Sequence, residues 1–428
     1  MFKRSFFLIC FLSSLSIVSW AATGKNCTEV IMHFSHFVEM EGVKPPRREQ
    51  LEMIEAQLNY LYGSLAHAKY LGVPRGDKEV EITGEELSGE NTTRIHYNFK
   101  GTILLQKGPR TRHTFPLPRV PTEKGIYEPA LDSNGFNRAT DPHYQSFDDY
   151  WYFWNPTRKG SGLKEGLHYD MVKAQIERIR NTERSTPEYE KLVNSDGTIA
   201  ISAFFGMDDP SHSSNAIRGK DLGAFGYRGF KKGLLAMGFQ IQSLSLADKK
   251  SLLGGHHFQG FTLERLTKST PAGNLEILLF FGPSGISEPS RPFHYLFKNA
   301  LEHSSVMIYD GHSGLGAHLD IPSIEEMEGF KIERNPKDYQ IFFLNSCSSY
   351  SYYNLSYHQL KERRHPTKYL DVLANGLETA FDETQTSNLA LIRAIDQWAT
   401  RGKKQTYQSL AKTMEADNLF FVSGDQDN

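Results

Sequence analysis

The feature that most restricts this chain is a set of apolar runs in its second half that do not alternate with polar residues. They read TIAISAFFG (198 to 206), FQIQSLSL (239 to 246), NLEILLFFG (274 to 282), SVMIYDG (305 to 311) and YQIFFLNS (339 to 346). A strand that is apolar on both sides has to be buried on both faces, as in a parallel sheet covered by helices. Helical spacing fills several of the gaps, at 221 to 237, closed by Gly238, and at 292 to 303. Further helices are expected at 367 to 381 and 387 to 400, with NLFFVSG (418 to 424) as a sixth strand. This alternation predicts an open α/β domain over 196 to 428. Pro271-Ala272-Gly273-Asn274 predicts a turn that pairs GFTLERL (260 to 266) with NLEILLFFG as a hairpin.

Upstream, residues 22 to 195 predict a smaller α+β unit. Leu51, Ile54, Leu58, Leu61 and Leu65 mark one face of a helix between Pro45 and Ala66. Strands are expected at 78 to 83 and at 93 to 105, the second alternating through Ile95, Tyr97 and Phe99. GEELSGEN (84 to 91) between them has the composition of a turn. The aromatic run DDYWYFWNP (148 to 156) is expected in a core or a domain interface, with no chemistry of its own. A helix is predicted over 164 to 184 and a polar connector over 182 to 197.

The opening MFKRSFFLICFLSSLSIVSWAATG has the basic, apolar and small-residue zones of a secretory signal peptide, with cleavage expected after Ala21. The apolar zone is too short to span a bilayer, so the expected product is exported, periplasmic or secreted, and not inserted in a membrane. Lys and Arg total 48 against 50 Asp and Glu, a balance that offers no footprint for nucleic acid. Cys27 and Cys347 survive processing, and they either pair with each other or leave Cys347 as a reactive thiol. Sequons stand at Asn26, Asn91 and Asn354, the last close enough to Cys347 for a glycan to crowd it.

In an open α/β sheet, reactive groups gather beyond the carboxyl ends of the strands. Two runs end in chemically loaded turns: Asp310-Gly311-His312-Ser313-Gly314 and Asn345-Ser346-Cys347-Ser348-Ser349. If those strands are neighbours, an imidazole and a thiol emerge side by side. A free thiol is only slightly ionised at neutral pH, and a nearby imidazole or helix N-terminus activates it. Amides of Ser313, Gly314 and Cys347 are candidates for stabilising an oxyanion, with His312 protonating a leaving amine. The loop 208 to 229 is a candidate wall of the cleft, with Asp208, Asp209 and Arg218 as selectivity charges, and His318 lies near enough to meet a substrate. The adjacent histidines of GGHHFQG (254 to 260) lack partners at ligand spacing, so neither a metal nor a cofactor is expected.

The pairing of YDGHSG with FFLNSCSS resembles the caspase-like cysteine peptidases, a group that includes legumain, gingipain, separase and the bacterial CHAT-type domains. The resemblance covers about residues 198 to 400 and implies a three-layer α/β domain with a mainly parallel sheet. It further implies that His312 is the general acid/base, that Cys347 is the nucleophile and that the substrate is a polypeptide. The group usually has Gly directly after the His, where this chain has Ser313. The upstream unit is then an inhibitory or accessory domain. A rival reading takes GHSGLG as the nucleophile elbow of a serine esterase, with Ser313 as nucleophile, although Leu315 replaces its closing glycine. A third takes the domain as a catalytically silent binding module.

Overall fold

The computed structural model describes residues 21–179, 184–333, 335–361, 367–381 and 384–424, so the signal-peptide reading of 1 to 20 lies outside the described residues. The first strand, β1 (Ala21–Thr23), pairs antiparallel with the last one, Phe420–Ser423, and so belongs to the sheet of the C-terminal half. The chain then crosses into a second sheet through β2 (Cys27–Glu41), whose inward residues Val30, Met32, Phe34 and Val38 are buried. α1 (Arg47–Asn59) and α2 (Leu61–Ala66) follow, broken at Tyr60, and bury Ile54, Leu58, Leu61 and Leu65 as the periodicity predicts. β3 (Gly72–Gly89), β4 (Thr92–Gln106), β5 (Arg112–Pro118) and β6 (Tyr169–Arg178) complete an antiparallel sheet in the order β3-β4-β2-β6-β5.

Two expectations for this half are corrected. The segment 164 to 184 contains a strand, not a helix, because Val172, Ala174 and Ile176 alternate with exposed residues at a period of two. GEELSGEN is mostly strand: pairing continues to Gly89↔Thr92 through register shifts, and the ribbon is solvated, so its composition resembles that of a turn. Residues 119 to 165 are irregular, and Tyr150 and Trp154 of the aromatic run are fully buried.

The C-terminal half runs β7 (Thr198–Gly206), α3 (Leu222–Ala236), β8 (Gln240–Gln242), α4 (Leu246–Leu252), β9 (Thr262–Thr270), β10 (Gly273–Gly282) and α5 (Arg291–His303). It continues β11 (Val306–Asp310), α6 (Ile321–Glu328), β12 (Gln340–Asn345), α7 (Ser349–His358), β13 (Leu370–Asn375), α8 (Thr384–Arg401), α9 (Tyr407–Met414) and β14 (Phe420–Ser423). Five strands in the order β10-β7-β11-β12-β13 are mutually parallel, and β9, β8, β14 and β1 extend the sheet antiparallel at its two edges. Ile199, Ile201, Ala203 and Phe205 pack with α3, α8 and α9 on one face; Phe204, Met307, Phe342 and Val372 pack with α5, α6 and α7 on the other. That two-sided burial is what the non-alternating runs required.

The β9–β10 hairpin forms as expected. FQIQSLSL supplies only the short, exposed edge strand β8, after which Ser245 and Asp248 form the capping box of α4. The helix expected at 367 to 381 is instead β13, whose six residues are all buried between two layers. A short apolar run of that kind carries no period that separates strand from helix. Among the described residues no helix is long and apolar enough to cross a membrane.

Candidate active site

Register brings the two loaded turns together. β11 and β12 are adjacent and parallel with Asp310 opposite Asn345, so His312 and Cys347 each lie two residues beyond the same rung. The strand order reverses at β7, flanked by β10 and β11, the kind of position at which open α/β sheets bind ligands beyond the carboxyl ends of their strands. Gly206 and Gly311 let the ends of β7 and β11 close up, since a Cβ on either would sit 3.3 Å from the other's Cα.

His312, just beyond β11, has its side chain 44% exposed. Its Nε2 lies 2.9 Å from the carbonyl oxygen of Asp208 and 3.4 Å from the Asp208 carboxylate. Both partners accept hydrogen bonds, so Nε2 carries the proton and Nδ1 keeps the lone pair. Asp208 is held in turn by Asp221, a buried carboxylate that caps α3. Asp221 accepts the amides of Asp208 and Asp209, both at 3.1 Å, and those of Gly223 at 2.9 Å and Ala224 at 3.4 Å. The His312 carbonyl receives the Tyr309 hydroxyl at 2.7 Å and His318 Nδ1 at 3.0 Å. Burial lowers the His318 pKa to about 4, so this ring stays neutral while it braces the loop. The turn then passes through positive φ at Gly314, Leu315 and Gly316. The amides of Ser313 and Gly314 have no acceptor among the described residues and stay available as donors.

Cys347 is half-buried, and its Sγ accepts the Thr379 amide at 3.5 Å. Burial pushes the thiol up, and the nearby Glu378 carboxylate adds to the effect, so the resting sulfur is protonated. The next residue, Ser348, has a left-handed φ of 49° and α7 starts immediately after it. Leu315, Ser348, Asp417 and Leu419 all hold positive φ at this rim of the sheet, and Lys44 is the remaining non-glycine example among the described residues. Strain of this kind persists where the surroundings over-determine it, and it gathers at functional sites. Cys27 is not bridged to Cys347: both are free thiols, and Cys27 donates to the Phe420 carbonyl at 3.3 Å.

Beneath both loops runs a chain of buried amides. Asn418 Nδ2 donates to Asn375 at 2.8 Å, Asn375 to Asn345 at 2.7 Å, Asn345 to Asn388 at 2.8 Å and Asn388 to the Asp310 carboxylate at 2.5 Å. This ties the ends of β11, β12 and β13 to α8 and to the residues before β14. Burial pushes the Asp310 carboxyl up to about 7. Asn345 and Asp310 are legible in the sequence as polar residues ending apolar runs and Asp221 as the cap of the helix that starts there, whereas the contact of Asn388 with Asp310 carries no local signal.

The remaining candidates stand apart. Asp209 is half-buried and accepts the Ser211 amide at 2.8 Å, and Arg218 is exposed on the same loop; neither has a contact with His312 or Cys347 among the described residues. Ser313 is buried and has no imidazole on its hydroxyl among the described residues. His358 is turned to Ser423 at 3.0 Å, and His365 lies outside the described residues. Asn354 is buried with its Oδ1 bonded to the Ser423 hydroxyl, so a glycan there does not crowd the site. Phe381, whose ring meets His312 edge-on at 5.1 Å, also lines a groove of about 540 Å³ with Leu222, Phe225 and Arg228. Among the described residues no group of three or more His, Cys, Asp or Glu is placed to hold a metal. No family model, no curated protein and no solved structure matches this chain.

Proposed function

We propose that this chain is an exported cysteine endopeptidase of the caspase-like kind, cleaving polypeptides with Cys347 as nucleophile and His312 as general acid/base. The observation that carries the reading is the shared rung: imidazole and thiol follow the neighbouring parallel strands β11 and β12 at equal register. Because β8 is an antiparallel edge, β11 and β12 are the third and fourth parallel strands in chain order.

The chemistry follows from the groups present. His312 takes the thiol proton, and Sγ attacks the scissile carbonyl, forming a C–S bond while the carbonyl oxygen gains charge. The unpartnered amides of Ser313 and Gly314 supply donors for that oxyanion. Protonated His312 then gives its proton to the nitrogen of the leaving amine, and the C–N bond breaks. Water, deprotonated by His312, attacks the thioester, and the C–S bond breaks to release the acid and the thiol. Asp208 keeps the ring oriented throughout and supports its positive charge. Among the described residues neither Ser313 nor Cys347 has an imidazole hydrogen-bonded to it, and what sets the serine alternative back is Leu315, which stands where the elbow has its closing glycine.

A peptidyl acyloxymethyl ketone tests the reading. Labelling of the wild type at Cys347, lost in Cys347→Ala and in His312→Ala, is the expected result. Labelling of Ser313 by a fluorophosphonate would transfer the activity to the esterase reading. No labelling by either reagent would leave a binding module.

A further inference from the structure

The reactive loop is held from outside its own domain. Ser348, directly after Cys347, keeps a left-handed backbone that L-residues avoid, and its hydroxyl meets the Tyr152 hydroxyl at 2.7 Å in a buried contact. Tyr152 belongs to the aromatic run of the N-terminal unit and is itself buried. Its ring is packed at 5.3 Å against Tyr144 and at 6.1 Å against Tyr62. Tyr62 stacks on Tyr352 of α7 at 5.9 Å, and Tyr352 fills the space beside Gly316 in the His312 loop. The same aromatic group therefore touches both turns of the site.

We infer that Tyr152 is a positioning residue for Cys347: through its hydroxyl bond to Ser348 it holds the left-handed turn that aims the sulfur. The N-terminal unit thereby completes the site. This rests on the proposed role of Cys347 as the reactive thiol. With Ser348 held, Sγ sits against the Thr379 amide and beside the start of α7, and both favour the thiolate over its position in a relaxed turn. Burial keeps the Tyr152 phenol protonated, so the hydroxyl–hydroxyl bond persists across the working pH range.

The test reads alkylation of Cys347 by iodoacetamide across pH, followed by mass spectrometry of the peptide that contains it, on the full-length protein. Cys27, fully buried and pushed up by its burial, is the silent internal control. Tyr152→Phe, which keeps the ring, is expected to slow alkylation about tenfold near neutral pH and to displace the profile upward by about one unit. Ser348→Ala removes the same bond from the other side and is expected to reproduce that displacement. Ser348→Gly adopts the left-handed turn unaided. It is expected to behave like the wild type, and the Tyr152→Phe/Ser348→Gly double variant like Ser348→Gly alone. A Tyr152→Phe profile that superimposes on the wild type, or a double variant that retains the Tyr152→Phe defect, overturns the inference. Alkylation needs no peptide cleavage, so these outcomes are read separately from the ketone labelling that tests the peptidase reading.

Discussion

Asp221 and Asp208 make a pair of substitutions whose ranking is opposite to what proximity to His312 suggests. The close contact to His312 Nε2, at 2.9 Å, comes from the backbone carbonyl of Asp208, and the Asp208 carboxylate stands at 3.4 Å. Asp208→Ala keeps the carbonyl and loses a partly solvated charge contact, which is worth about 0.5–1 kcal/mol, or a few-fold in rate. Asp221→Ala leaves the carbonyl in place chemically but frees the backbone that carries it. It strips the acceptor from the Asp208 and Asp209 amides and from the first turn of α3. Losing the cap costs about 1 kcal/mol, and two unsatisfied amides about 1 kcal/mol each. The sum of about 3 kcal/mol lowers the melting temperature by about 6 °C at roughly 2 °C per kcal/mol for a domain of this size. A displaced imidazole costs on the order of 30-fold in the rate of Cys347 labelling. The assay is ketone labelling kinetics beside thermal unfolding of both variants. An Asp208→Ala protein that labels more slowly than Asp221→Ala, or an Asp221→Ala protein that melts within about 1 °C of wild type, would refute the reasoning.

Further perturbations address the buried charges. Arg75 pairs with Glu29 at 3.1 Å, and both are buried between the two units, where burial pushes the Glu29 carboxyl up against the pull of Arg75. Arg75→Met strands that carboxylate and is expected to cost about 3–5 kcal/mol in urea unfolding at neutral pH. The loss should shrink on acidification, as Glu29 gains its proton in the folded state first. For Asp310, burial raises the folded-state pKa from 3.8 to about 7. Its stabilising protonation is complete below about pH 4 and is lost as pH rises through about 7, up to about 4 kcal/mol. Asp310→Asn should therefore flatten the fall in unfolding free energy between about pH 4 and 7, and an unchanged slope would show that Asp310 does not titrate there.

What the sequence made legible follows the physics of burial. Non-alternating runs announce strands covered on both faces, and β7, β10, β11 and β12 were readable for that reason, as was the α3 boundary at Gly238. β13 was not, because LDVLAN is too short for its period to decide between strand and helix. β2 was overlooked although Val30, Met32 and Phe34 alternate, since His33, Ser35 and His36 dilute the pattern. Among the candidate residues, the placement of His312 and Cys347 just past the ends of neighbouring strands was legible because each follows an apolar run within two residues. Asp221, Asn388 and Tyr152 act across long stretches of chain, and nothing adjacent to them in sequence reports the contact.

The same long-range contacts bear on how the proposed peptidase would be restrained. A removable pro-segment has to leave behind a domain whose groups are satisfied without it. Here β1 pairs with β14, and Tyr350 of α7 donates to Glu29 at 2.9 Å. One apolar cluster mixes Cys27, Val73 and Leu104 with Tyr350, Leu419 and Phe421. Exposing three such large side chains costs about 6 kcal/mol, comparable to the whole stability of an ordinary domain. Removing residues 22 to 195 should thus unfold the C-terminal half, whereas shedding an inhibitor would activate it. At the proposed site itself, burial and then the Glu378 carboxylate push the Cys347 thiol up, against the Thr379 amide. On that account Glu378→Gln raises Cys347 reactivity without any cleavage of the chain. Iodoacetamide kinetics on the intact protein decide the matter, because an unchanged rate returns the restraint to the N-terminal unit.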